Sequence, residues 1–251
     1  MGAYIVTLNV VTGVHLGSPD KCRRFIGASL WILRTGAQWR ALPPEHEKWT
    51  SVFKRYSRWC STGAWDRLLT CFSEDADLQD VSIDGTVTRA HACAAGAVGS
   101  SAEKEALGCS KGGFSCKIHA ACDALGMPIK FILTGGQTAE CTVAIPLLEG
   151  IQTSALLADK GYDTNELRAW LKARGIEVVI PPKSNRKEIV TAIIGFIRSD
   201  MLSNACLASS NITVGLLLDM RKKLCVHGNA VFCVGTFVAA MKRQQNLIKE
   251  K

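Results

Sequence analysis

Apolar positions along this chain change their period twice. From about residue 20 to residue 78 they recur at helical spacing: Phe25, Ile26, Leu30 and Leu33, with the small Ser29, share one face. Leu42-Pro43-Pro44 breaks that pattern, a second amphipathic helix is predicted over 49–59, and Gly63 closes it. From 79 to 187 short apolar runs alternate with helix-period segments. Residues 80–84 read as a strand, 114–122 and 129–134 as a hairpin turning at 123–126, and 141–148 as a helix. Residues 155–159 form an apolar strand, 165–174 a helix closed by Gly175, and 176–180 a last strand stopped by Pro181-Pro182. That order predicts an α/β sheet with helices packed on it. Beyond Glu188 the local signals cease to agree: aliphatic and cysteine-containing runs carry few aromatics and no clean caps. Four segments are therefore expected: an atypical start at 1–19, a helical region at 20–78, a sheet core at 79–187 and an aberrant tail at 188–251.

Composition narrows the class. The 251 residues are 47% hydrophobic and 21% charged, which describes a folded globular chain. Thirty Lys and Arg against 22 Asp and Glu give a net charge of +8, which favours a polyanionic partner. The basic residues concentrate in the helical region, where Arg23, Arg24, Arg34, Arg40, Lys54, Arg55 and Arg58 are interleaved with Phe25, Trp31, Trp39, Trp49, Phe53, Tyr56, Trp59 and Trp65. The aromatics read as the core of that region and the basic face as phosphate contacts. Eleven cysteines include no C-x-x-C pair, and His91-x-Cys93 and Cys116-x-x-His119 have no matching second pair, so zinc is not expected and reduced thiols are. Residues 1–16 lack the basic start and cleavage site of a signal peptide, and the apolar run 230–241 is too short to span a bilayer. A cytoplasmic protein with no membrane contact is expected.

Two aspartates carry the candidate chemistry. Asp84 follows the apolar strand and precedes Gly85-Thr86; Asp159 ends the run Ala155-Leu156-Leu157-Ala158 and precedes Lys160-Gly161. Open α/β sheets build their sites at the carboxyl ends of strands, and each aspartate is predicted to stand at one. Neighbouring carboxylates there can share divalent cations, and Mg²⁺ suits them because it takes oxygen ligands and completes its shell with phosphate oxygens. Either Asp alone has a simpler use, as a turn or helix cap.

The flanking motifs favour the chemical use. I-D-G-T-V-T-R-A-H-A-C-A-A-G-A (83–97) and L-L-A-D-K-G-Y-D (156–163) closely resemble the two aspartate motifs of bacterial insertion-sequence DDE transposases, in the subgroup named for the fifth insertion sequence. Residues 22–44 resemble that family's N-terminal helical region, 112–137 its central hairpin, and P-P-K-S-N-R-K (181–187) its strand-exit loop. The likeness runs in order over roughly residues 20–187. It implies an RNase H-like core and a metal triad Asp, Asp, Glu, of which Asp84 and Asp159 are the first two members, holding Mg²⁺ or Mn²⁺. It implies cleavage of double-stranded DNA at terminal inverted repeats and transfer of the freed 3′ end to a target, by a chain that could act as a homo-oligomer. Arg89 and His91 after the first aspartate, and Lys160 and Tyr162 after the second, stand close enough in sequence to reach a phosphate or to serve structurally.

The resemblance stops at the third acidic residue. The family's pattern, Y-x(2)-R-x(3)-E-x(6)-K on a helix after the last strand, has no counterpart after Lys187. Only Glu188, Asp200, Asp219 and Glu250 are acidic there, and Asp200 is the sole substitute on distance. A shifted reading frame across 188–222, with permitted synonymous codons, restores the pattern and places the shifted Glu codon across Ser203 and Asn204. A frame disruption is therefore expected, and with it a product that does not transpose DNA; the alternative to an active transposase is a catalytically inactive remnant that retains DNA binding only.

Overall fold

A computed structural model describes residues 17–35, 37–73, 76–89, 106–126, 128–184 and 186. They form two compact units, one helical and ending before residue 75, the other built on a sheet. The expectations for 1–16, for His91 and for the tail from 188 lie outside the described residues.

Three helices make the first unit: α1 (Pro19–Thr35), α2 (Trp49–Ser61) and α3 (Ala64–Ser73), with a 3-10 turn at Trp39–Ala41. Ser18 caps α1, its hydroxyl accepting from the Lys21 N–H at 3.4 Å, and Pro19 occupies the first helical position, where no N–H is required. Gly63, at φ +65°, turns the chain out of α2 directly into α3, a helix that apolar periodicity had not separated from its neighbour. Phe25, Val52, Tyr56, Trp59, Ala64 and Trp65 are buried together. Phe25 meets Trp59 edge-on at 5.0 Å between ring centroids, and Trp59 lies 4.8 Å from Trp65. Ser29 joins this core without penalty because its hydroxyl donates to the Phe25 carbonyl, at 2.9 Å.

The second unit is a mixed sheet. β1 (Asp80–Arg89) is flanked by β3 (Gly113–Cys122), antiparallel, and by β5 (Ala155–Leu157), parallel. β4 (Pro128–Gly135) extends the sheet beyond β3, β6 (Glu177–Val179) extends it beyond β5, and the short β2 (Gly108–Ser110) pairs with the start of β3. The helices α4 (Glu140–Leu148) and α5 (Asn165–Ala173) connect β4 to β5 and β5 to β6. Val81 and Ile83 of β1, Ala121 of β3 and Leu156 of β5 form one core with Ala144, Leu147 and Leu148 of α4 and Leu167 and Leu171 of α5. The alternation along β1 thus gives Val81 and Ile83 to the helix-covered face. Asp84, which pairs with Ala120, belongs to the other phase.

Two strands differ from their predicted lengths. β1 continues to Arg89 because β3 offers a partner for every residue from Ser82 onward, so Asp84 stands in mid-strand and not at a strand's end. β5 stops at Leu157, two residues short of its predicted end, and frees Asp159 from the ladder. Cys22, Cys109 and Cys141 are reduced thiols. Cys122, fully buried at the end of β3, is disulfide-bonded, a departure from the reduced state expected throughout.

Candidate active site

The β1–β5 register decides whether the two aspartates can meet. Their parallel pairing ends at Ser82↔Leu157; Asp84 follows two residues later within β1, and Asp159 two residues past the end of β5. Strands so paired lie about 4.8 Å apart. Each carboxylate is then turned by its own backbone: Asp84 Oδ1 accepts the Gly85 N–H at 2.7 Å, and Asp159 Oδ1 accepts the Gly161 N–H at 2.9 Å as the cap of a 3-10 turn at Lys160–Tyr162. Asp84 is half-buried and Asp159 exposed, so one carboxylate is held in the sheet and the other at its rim.

Burial pushes the Asp84 pKa up to about 6, against the Gly85 hydrogen bond, and the negative charges of Glu140 and Asp159 push it further. Glu140, which sequence reasoning did not select, is the first residue of α4. Its Oε1 accepts from Lys117 Nζ at 2.9 Å, and Lys117 also donates to the Thr138 carbonyl at 3.3 Å. The signal that could have found it is an acidic residue at a helix start directly after the hairpin, but that is also the ordinary place for a carboxylate favoured by the helix dipole.

Two glycines explain how the carboxylates come so close. A Cβ at Gly85 would lie 3.0 Å from both Cγ and Oε1 of Glu140. At Gly161 it would lie 2.9 Å from Asp159 Oδ1 and 3.0 Å from Glu140 Oε2. Tyr162 is fully buried and its hydroxyl has no hydrogen-bond partner; burial raises its pKa most, followed by the charges of Glu140, Asp84 and Asp159. Hard oxygen donors, gaps left by absent side chains and an unsatisfied hydroxyl donor fit a divalent cation. As the side chains stand, no three acidic, His or Cys groups among the described residues enclose a single point suited to an ion.

Asp163, the last residue of the second aspartate motif, has a different task. Its buried carboxylate accepts from Arg168 Nε at 2.6 Å, from the Lys183 N–H at 2.8 Å and from Arg186 Nε at 2.8 Å. Burial alone would raise its pKa, but these donors hold it well below the usual carboxylate range. The loop after β6 is thereby tied to the turn that carries Asp159, which accounts for both sequence motifs at once.

The predicted basic contacts separate by environment. Arg23 and Arg24 on α1, Arg40 in the 3-10 turn, and Lys54 and Arg58 one turn apart on α2 are exposed. Arg34 also lies on α1. Arg55 is instead half-buried, its guanidinium 4.3 Å from the centre of the Phe25 ring and 5.5 Å from that of Trp59. In the sheet unit Arg89 ends β1 and Lys160 follows Asp159, both exposed.

Asp84 in a central strand, with Asp159 just past the end of its parallel neighbour, is a pair of oxygen donors suited to a divalent cation and, with it, a phosphate. Residues 75–229 match the family described as "Transposase DDE domain", and the chain belongs to that family. More narrowly, residues 8–69 match the family described as "Putative transposase of IS4/5 family", which makes this a bacterial insertion-sequence DDE transposase. Among curated proteins it is 43% identical over 75 residues to "Uncharacterized protein y4sN" of Sinorhizobium fredii, covering 30% of this chain and 60% of that one. It is 36% identical over 74 residues to "Putative transposase for insertion sequence element IS6501" of Brucella ovis, covering 28% and 57%. The chain therefore spans less than two thirds of the length of these relatives. The solved piggyBac transposase synaptic complex with hairpin DNA superposes with a TM-score of 0.53 at 10% identity, over 90% of this chain and 66% of that one. The shared fold is RNase H-like α/β, with a helical N-terminal region. Divalent-metal chemistry is general to the family.

Proposed function

We propose that this chain is a DNA transposase of the insertion-sequence type, whose helical unit binds the element's terminal inverted repeats and whose sheet unit engages the DNA strand at Asp84 and Asp159. The observation that supports the reading is the parallel β1–β5 register, whose last pair, Ser82↔Leu157, stands two residues before each aspartate. Asp84 and Asp159 would hold Mg²⁺ or Mn²⁺, which when bound neutralises charge on the reacting phosphate. The protein's own part is placement. The β1 ladder and the 3-10 turn fix the two carboxylates, and the Asp163–Arg168–Arg186 network anchors that turn. Lys160 and Arg89, exposed in the same unit, supply positive charge for phosphate oxygens. Arg23, Arg24, Arg34, Arg40, Lys54 and Arg58 do so in the helical unit, and Arg55 stiffens it. His91 follows the first aspartate motif. The protein works in the cytoplasm, where the DNA is; no helix of the described residues is long and apolar enough to cross a membrane.

The same reading carries an expected defect. The family's third carboxylate has no counterpart at the required spacing after Lys187, so end binding should survive better than strand transfer. The test is purified protein with Mg²⁺ or Mn²⁺ and an inverted-repeat duplex, followed by binding and strand-cleavage assays. Salt-sensitive, end-specific binding with weak cleavage supports the proposal. Absence of end preference overturns it, and robust cleavage that Asp84→Ala abolishes overturns the defect. The DNA from the Lys183 codon to the stop codon, read in three frames, tests the frame disruption directly.

A further inference from the structure

We propose that Glu140 is the third carboxylate of the metal site, exchanging its Lys117 partner for the divalent cation that Asp84 and Asp159 hold. The inference rests on the Asp84–Asp159 reading and extends it to a residue that precedes β5, well before the tail.

Geometry carries it. The Glu140 carboxylate lies between the two backbone segments that orient the aspartates. Its Oε1 lies 3.0 Å from where a side chain at Gly85, the residue that hydrogen-bonds Asp84, would begin. Its Oε2 and the Asp159 carboxylate flank the same point at Gly161. One glutamate therefore reaches the backbone that follows each aspartate, β1 at Gly85 and the 3-10 turn at Gly161.

A second observation points to a ligand. The Tyr162 hydroxyl is an O–H donor, fully buried, without a hydrogen-bond partner, and within the electrostatic reach of Glu140, Asp84 and Asp159. A buried donor normally finds an acceptor, and leaving one unmet is costly. An oxygen brought in with a bound cation, from water or a DNA phosphate, supplies that acceptor. Among the described residues the three carboxylates make one ion pair, Glu140 with Lys117, and a divalent ion would balance their remaining negative charge. Lys117 now pairs with Glu140, and the three carboxylates as they stand enclose no common point for an ion. The cation and the Lys117 ammonium thus compete for the same carboxylate.

The experiment uses the full chain and Mn²⁺ alone, read by calorimetry and by the electron-spin signal of free Mn²⁺, without DNA. Glu140→Gln is expected to weaken Mn²⁺ binding at least about tenfold, the size of effect seen when a group supporting a metal site is lost. Lys117→Met is expected to tighten it severalfold. If Asp84→Asn and Asp159→Asn abolish binding while Glu140→Gln stays within twofold of the parent, the inference about Glu140 falls and the aspartate site stands. If the parent binds no Mn²⁺, or the two aspartate variants bind it unchanged, the site reading falls and takes the inference with it. Should Glu140→Gln fail to fold by circular dichroism, Lys117→Met decides: tighter binding supports the exchange, and unchanged or weaker binding overturns it.

Discussion

Replacing Asp163 with Asn would test the anchor beneath the candidate site. Asn keeps the size of the side chain but removes the charge, and one of its two terminal atoms becomes a donor. Facing it are three donors, Arg168 Nε, Arg186 Nε and the Lys183 N–H, at 2.6, 2.8 and 2.8 Å. The Asp163 side chain is 0% exposed, and those of Arg168 and Arg186 are 14% and 17% exposed, so water cannot readily take its place. A charge-assisted hydrogen bond contributes roughly 1.5–3 kcal/mol, and removing one partner of a buried pair costs about 3–5 kcal/mol. The contacts are not additive, and Arg168 keeps its bond to the Ile180 carbonyl at 3.0 Å. A loss of about 3 kcal/mol is expected, which at an m-value of ~1–3 kcal/mol/M moves the urea midpoint down by about 1–3 M. The pH dependence adds a signed check. The folded pKa of Asp163 is depressed, so its stabilisation is present above the unfolded value of about 3.9 and lost as pH falls through the folded one. The gap between parent and variant should therefore be full at pH 7 and shrink as the pH falls below 4 toward the depressed value. A midpoint shift equivalent to less than about 1 kcal/mol at pH 7, or a gap that widens with acid, would refute the assignment of Asp163 as a buried anchor.

Further outcomes follow from the same contacts. Because Asp84 titrates near 6, protons should compete with Mn²⁺ below that pH, weakening its affinity by about tenfold per unit, and calorimetry across pH 5–7.5 checks the midpoint. Gly161→Ala sets a methyl 2.9 Å from Asp159 Oδ1 and 3.0 Å from Glu140 Oε2; carboxylates can swing away, so a stability change under about 1 kcal/mol should accompany an Mn²⁺ affinity lowered on the order of tenfold. Arg55→Ala should lower the melting temperature of the helical unit more than Arg58→Ala, while Arg58→Ala should reduce the salt slope of DNA binding by about one. Trp59→Ala, deleting a ring that is 1% exposed and packed between Phe25 and Trp65, should cost about 3–5 kcal/mol in denaturant unfolding.

The sequence alone determined the features that local chemistry controls. Ser18-Pro19 opens α1, Gly63 and Gly175 end helices at positive φ, and Asp123–Gly126 turns the hairpin, because capping and turn conformations depend on a few adjacent residues. Aromatic spacing marked the helical core, and motif likeness selected Asp84 and Asp159. Pairing decided the remainder. β1 runs on to Arg89 and β5 stops at Leu157 because a ladder lasts as long as its partner strand does, which no single segment encodes. The environments of Glu140, Tyr162 and Lys117 were invisible for the same reason. They stand at residues 140, 162 and 117 of the sequence, and only the sheet register and the seating of α4 bring one carboxylate beside Gly85 and Gly161. Which of the basic residues stay exposed was likewise decided by packing: Arg55 and Arg58 sit three apart on one helix, yet one lies over aromatic rings and the other faces solvent.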